Sequence, residues 1–188
     1  MTKRSLGTKQ NHLTSVLCAG QISVQCACLR SHENTLKIKR KVNKMAVAMQ
    51  PEENPIVFEQ DFVITEEMID RNKHLNNVVC VQWIQDISVN HSDSTGGTDL
   101  MEELGCGWMI HTQHVEYKAQ AFLGEKIHGI TWVPEYSKIS TNRHCKFIRE
   151  SDGKEIFSSV TTWVLVDMKR GRPVAIPEEL KDKFRKKP

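Results

Sequence analysis

Four extended segments follow one another in residues 106–167, and the stretches between them are too short to hold a helix. "CGWMIHTQHVEYKA" covers 106–119, "EKIHGITWVPEYS" 125–137, "STNRHCKFIRE" 140–150 and "KEIFSSVTTWVLVD" 154–167. Parallel strands need crossovers of a dozen or more residues, so strands joined this tightly run antiparallel. "SDG" at 151–153 is a hairpin signal between the last two. Pro134 fits only a bulge or a sheet edge, because it lacks the amide that a ladder needs. An earlier strand reads over 56–64, where Ile56, Phe58, Phe62 and Ile64 share a face and Gln60 is the exception. No repeating strand–helix–strand unit is present. The expected class is α+β, an antiparallel sheet with one long helix packed on it. One apolar helix leaves part of such a sheet uncovered, which points to a dimer.

That helix has one candidate, residues 77–90. As a strand, Val79, Val81, Trp83, Ile87 and Val89 would share a face, and the β-branched content favours this. As a helix, Cys80, Val81, Trp83, Ile84 and Ile87 fall in one arc of roughly 160°. The length and the ready N-caps Asn76 and Asn77 favour helix, and helix is the reading taken. "LMEELG" is a short helical turn, and "PEELKDKF" opens a C-terminal helix with Pro in its first turn.

Charge divides the chain. Residues 1–44 carry nine Lys or Arg against one acid, Glu33, whereas residues 45–188 carry 17 against 22. Residues 1–50 therefore read as a basic N-terminal extension and 51–188 as the domain. The extension is a targeting segment, a binding arm, or a stretch upstream of a true start at Met45. It lacks aromatic residues for stacking on bases, so nucleic acid is not an expected partner. No run approaches the roughly 18 apolar residues of a membrane span. Cys80, Cys106 and Cys145 form no CxxC pair and read as reduced thiols of a cytoplasmic protein, with no metal site.

"DRNKHLNNV" at 70–78 holds the chemistry. Asp70 offers a carboxylate that serves as general base toward water or as nucleophile. The Asn72 amide can orient that water, and His74 can donate to developing negative charge. The helix start at Asn76, Asn77 and Val78 presents free N–H groups and the positive dipole end to a carbonyl oxygen. Together these make an acyl-hydrolysis kit. The same residues also read as a plain capping cluster, and their chemistry alone does not separate the two.

The stretch "DRNKHLNNVVCVQWIQD" resembles the signature of hot-dog-fold thioesterases. In the 4-hydroxybenzoyl-CoA thioesterase-like group that signature is Asp, two residues, Gly, His, a hydrophobic residue and Asn-Asn. It is closer to the Asp-x-Asn-x-His-x-Asn-Asn-Val of plant acyl-ACP thioesterases. "HVEYKAQAFLGEKI" and "VLVDMKRGRPVAIPEEL" resemble later parts of that family, so the resemblance covers about residues 56–180. It implies a hot-dog fold, a long central helix packed on a five-stranded antiparallel sheet, and makes 77–90 helical. It implies a homodimer or dimer of dimers with sites at the interface, no metal and no cofactor. It implies Asp70 as the catalytic carboxylate, Asn72 and His74 as positioning groups, and the 76–78 amides as the holder of the thioester oxygen. The substrate implied is acyl-CoA, with acyl-ACP second.

Two positions depart from the family pattern. Lys73 stands where the bacterial pattern has glycine. Gln120 and Ala121 stand where the plant enzymes have a Glu-Cys pair, and a glutamine cannot be a base. Rival functions are a hot-dog hydratase or dehydratase and a non-catalytic acyl-CoA-binding module. The hydratase pattern has one more residue between Asn and His than Asn72-x-His74. His111 and His114, three apart on a strand, fall on opposite faces and do not suit a metal. His91 is expected near the helix end, where a charged imidazole suits the dipole. Arg143, Lys146 and Arg149 either solvate an exposed strand or meet the phosphates of coenzyme A.

Overall fold

The computed structural model describes residues 50–51 and 54–186. The expectations for residues 1–49 lie outside the described residues.

The elements in chain order are β1 (Gln50–Pro51), β2 (Phe58–Val63), a 3-10 turn (Glu66–Met68), α1 (Asn77–Ser94), α2 (Gly97–Glu103), β3 (Cys106–Tyr117), β4 (Lys126–Tyr136), β5 (Ser140–Arg149), β6 (Glu155–Asp167), β7 (Arg172–Pro173) and α3 (Glu178–Asp182). The four expected strands of 106–167 fall within a few residues of their expected bounds. All pairings are antiparallel. The sheet runs β4-β5-β6-β3, with β2 and β1 sharing the outer edge of β4 and β7 on β6. The ladder between β4 and β5 shifts between Trp132 and Glu135, the bulge that Pro134 requires. Gly153 turns the β5–β6 hairpin with a φ of 68°, a left-handed conformation that glycine adopts without steric cost.

α1 extends four residues beyond the expected Asn90. It lays Cys80, Trp83, Ile84 and Ile87 on the sheet, against Phe62, Phe147 and Phe157. Phe147 and Phe157 stack at 4.1 Å, and Phe62 stacks on Trp83 at 4.7 Å. The helix comes so close to β4 that a Cβ on Gly129 would sit 2.8 Å from Phe62 and 3.0 Å from Ile87. Only glycine permits that approach. Gln60 breaks the apolar pattern of β2 for a reason: its Oε1 accepts a 2.8 Å hydrogen bond from Asn90 Nδ2 on α1. A second cluster forms where Leu180 and Phe184 fold back on Leu100, Val133, Tyr136 and Leu165.

Some apolar surface stays open. Val78, Val81 and Val89 on the outer side of α1 are exposed, as are Met109 and Ile110 on β3. Among the described residues β3 pairs with β6 alone, so its other edge is free.

Candidate active site

Asp70 to His74 form a tight turn. Asp70 N–H donates to the His74 carbonyl at 2.8 Å, and Lys73 N–H donates to the Asp70 carbonyl at 3.0 Å. An isolated bridge between Ile69 and Leu75 closes its base. Lys73 takes a φ of 64°, and no other described non-glycine residue has positive φ. This explains the glycine of the bacterial pattern: the turn needs a left-handed residue, and this chain places a lysine there.

The turn aims amides at the aspartate. Asp70 Oδ1 accepts from Asn72 N–H at 2.8 Å and from His74 N–H at 3.2 Å. Oδ2 has only the Asn72 side-chain amide, at a long 3.5 Å. The bond from the His74 amide does most to hold the carboxyl below its usual range, with Asn72 assisting. Asp70 is therefore an ionised carboxylate at neutral pH, with Oδ1 held by two amides and Oδ2 by the one long contact. The His74 imidazole has no hydrogen-bond partner among the described residues, and its ring meets Phe122 edge-on at 5.4 Å.

The helix start corrects one expectation. The three amides at 76–78 are not equally free. Asn76 N–H donates to the Met68 carbonyl at 2.9 Å. Val78 N–H donates at 2.9 Å to the side chain of Asn76, which is the N-cap. Of these three, the Asn77 N–H alone has no partner among the described residues. Leu75 N–H ties the turn to the Ala121 carbonyl at 2.9 Å.

That tie brings the end of β3 and the loop after it beside the turn. A cavity of about 300 Å³ forms between them, lined by Asp70, His74, Asn77, Cys80, Lys118 and Gln120, with Tyr117 and Ile156 among its other walls. Tyr117 and Lys118 were not expected here. They lie in the quoted "HVEYKAQAF" stretch, three and two residues before Gln120, and that proximity was the available signal. Lys118 pairs with Glu155 at 2.6 Å. Gln120 is exposed and lines the same cavity as Asp70, so the cavity carries an amide where the plant pattern has an acid. Burial pushes the Cys80 thiol up to about 12, which excludes it as a thiolate nucleophile at neutral pH.

Two other expectations fail: the dipole role of His91, which does lie in the last turn of α1, and the joint role of Arg143, Lys146 and Arg149. His91 is wholly buried, and burial with the neighbouring Arg143 charge presses its pKa down to about 3. It is neutral and does not serve the helix dipole. Arg143 and Arg149 are buried on the inner face of β5, while Lys146 is exposed on the outer one. The three cannot meet one phosphate, and the two arginines do not solvate a strand. Arg149 pairs instead with Glu125 at 3.0 Å and Asp152 at 2.9 Å. His111 sits at a register shift in β3, and His114 lies 3.5 Å from Glu116. No cluster suited to a metal occurs among the described residues.

The acyl-ACP thioesterase N-terminal domain family matches residues 55–184. Comparison with curated proteins gives no match. Among solved structures, an acyl-ACP thioesterase from Bacteroides thetaiotaomicron is 22% identical with a TM-score of 0.63, over 70% of this chain and 54% of its own. The 12:0-ACP thioesterase of Umbellularia californica is 18% identical with a TM-score of 0.62, over 68% of this chain and 49% of its own. A Staphylococcus aureus protein solved in complex with CoA is 18% identical with a TM-score of 0.63, over 71% of this chain and 85% of its own. The chain thus spans about half the length of the two acyl-ACP thioesterases. These likenesses establish the hot-dog fold. The family match runs through nearly all of the described domain, and on that ground the chain belongs to the acyl-ACP thioesterase family.

Proposed function

We propose that this chain is an acyl-CoA thioesterase, with acyl-ACP as the second candidate substrate. Membership of a thioesterase family supports thioester hydrolysis. The carrier is argued from two neighbours: one was solved with CoA, the other is a 12:0-ACP thioesterase. The observation that carries the reading is the ionised Asp70, its Oδ1 held by two backbone amides, on a cavity that Asn77 at the start of α1 also lines.

In this reading Oδ2 takes a proton from water, and the water oxygen attacks the thioester carbon. The carbonyl oxygen gains negative charge and meets the Asn77 N–H at the positive end of α1. The tetrahedral intermediate then expels the thiolate, which recovers the proton from Asp70. Asn72, beside Oδ2, and His74 on the cavity wall position water and substrate. Gln120 cannot act as a base, so Asp70 works without a second acid.

The working unit is a homodimer, or a dimer of dimers. A free strand edge bearing Met109 and Ile110 next to an open helix face is surface that needs a partner. The cytoplasm is the proposed location, with a basic N-terminal extension preceding a domain that already includes Gln50, whose strand pairs with β4. No helix among the described residues is long and apolar enough to cross a membrane.

Free-thiol release from a panel of acyl-CoAs tests the reading. Asp70→Asn keeps the shape and removes the base, so turnover should fall by about 10²-fold or more. Equal activity in that variant refutes the role of Asp70. Loss of enoyl absorbance without thiol release would instead make the protein a hydratase, and acyl-CoA binding without turnover would make it a binding module.

A further inference from the structure

A second cavity, of about 220 Å³, lies toward the other end of α1. Its lip is Gln85 and Val89, and its walls include Met101, Trp108 and Phe184. Most of it is apolar, but its floor holds Arg143, which is buried.

Arg143 has no counter-ion among the described residues. Its Nη1 donates to His91 Nδ1 at 2.8 Å and to Thr131 Oγ1 at 3.2 Å, and its guanidinium lies over the Phe184 ring at 5.6 Å. Among the described residues no carboxylate reaches it. Arg149 supplies an internal comparison. It lies on the same strand and the same face, and carboxylates hold it on two sides. His91 cannot balance the charge, because an imidazole is neutral or positive; its Nδ1 only accepts a hydrogen bond from Arg143. A guanidinium keeps its charge in a protein interior, and a buried, unpaired charge is a standing penalty that an anion would remove. Nearby donors are also unspent. Ser92 Oγ and Trp163 Nε1 are buried without partners, and both residues line the cavity.

α1 lines both cavities, through Asn77 and Cys80 at its start and through Gln85 and Val89 further along. Val78, Val81, Gln85 and Val89 follow one another at helical spacing of three and four. The three valines form an exposed apolar track from the first turn of α1 to the lip. The track covers about 16 Å of helix axis, the scale of an acyl chain.

We propose that this cavity receives the far end of the acyl chain, and that Arg143 selects chains ending in a carboxylate. The inference rests on the thioesterase reading. It narrows the substrate class to thioesters of dicarboxylic acids, in which one carboxyl is esterified to the thiol and the other is free. Planar, two-pronged donors match that group, and the apolar walls match the methylenes before it.

Two measurements test it. The first is thiol release from ω-carboxyl acyl-CoAs and unsubstituted acyl-CoAs of equal length, across a range of lengths. The protein as it stands should prefer the ω-carboxyl chain by about tenfold or more in kcat/KM at its best length. Arg143→Met should lose that preference, and Arg143→Lys should keep part of it. The second is thermal protection by free α,ω-dicarboxylates compared with diols of equal length, which needs no turnover. The diacids should raise the Tm of the unaltered protein, and the diols should not. Thiol release with no preference for ω-carboxyl chains, and no protection by any diacid, overturns the proposal while leaving the thioesterase standing. Protection by diacids without thiol release from any thioester keeps the anion site and removes the thioesterase reading.

Discussion

Replacing His91 with glutamine and following stability from about pH 7 to about pH 5 probes the interior on which that cavity depends. The imidazole is fully buried, stacked on Phe58 at 5.5 Å and edge-on to Phe184 at 5.2 Å. Burial first, and the Arg143 charge second, lower its pKa from 6.5 to about 3. Below 6.5 the unfolded chain takes up a proton that the folded one refuses. Stability is therefore highest above pH 6.5 and is lost as pH falls toward 3. Each unit in that window costs about 1.4 kcal/mol, so about 2 kcal/mol is gone by about pH 5. With a urea slope of about 2 kcal/mol/M, the midpoint should move by about 1 M. Other histidines titrate as well. The hydrogen bond to Asp61 raises the His128 pKa, so its stabilisation is present at low pH and lost as pH rises. Burial lowers the His144 pKa, which acts in the same direction as His91. Both remain in His91→Gln, whose side-chain oxygen still accepts from Arg143. The difference between the two proteins isolates His91. Urea unfolding at several pH values should show the variant losing far less stability toward pH 5. Parallel pH curves would refute the buried, neutral histidine.

Three further perturbations test other parts of the structure. Gly129→Ala puts a Cβ 2.8 Å from Phe62, 3.0 Å from Ile87 and 3.1 Å from Phe147, and both phenyl rings already stack on their neighbours. It should cost about 1–2 kcal/mol after the backbone gain of alanine, read as a lower urea midpoint. An unchanged midpoint would mean that α1 does not approach β4 this closely. Lys73→Gly relieves a left-handed lysine and should raise Tm, while Lys73→Val should lower it, as read by thermal unfolding. Ile110→Lys places a charge on the open strand and should shift the proposed dimer toward monomer in sedimentation; an unchanged dimer would place the interface elsewhere.

The strands were legible because each obeys a local rule. Inner and outer residues alternate in β4 and β5, "SDG" dictates a hairpin, and Pro134 dictates an irregularity. The helix was legible only in part. Its apolar residues surround it, and β-branched content argued for a strand. What decides the matter is tertiary: the aromatic layer of Phe62, Phe147 and Phe157 offers a surface that Trp83 and Ile87 fit as a helix. Gln60 looked like an error in the β2 pattern until its partner, Asn90, 30 residues away, was in place.

The site divides along the same line. Asp70, Asn72 and His74 lie within five residues, so a turn joins them and the spacing reveals it. The partners that complete the cavity, Tyr117 and Lys118, arrive through the fold, and no spacing from Asp70 could have given them. Arg143 shows the limit most sharply. In sequence it is one of three bases on a strand, equivalent to Lys146 and Arg149. Strand alternation alone separates Lys146 from the other two. Separating Arg143 from Arg149 requires knowing where the acids fall, and Glu125 and Asp152 come from the loop before β4 and the β5–β6 turn. Those loops lie at one end of β5, six residues from Arg143. One arginine is therefore neutralised by the fold, and the other is left for a ligand.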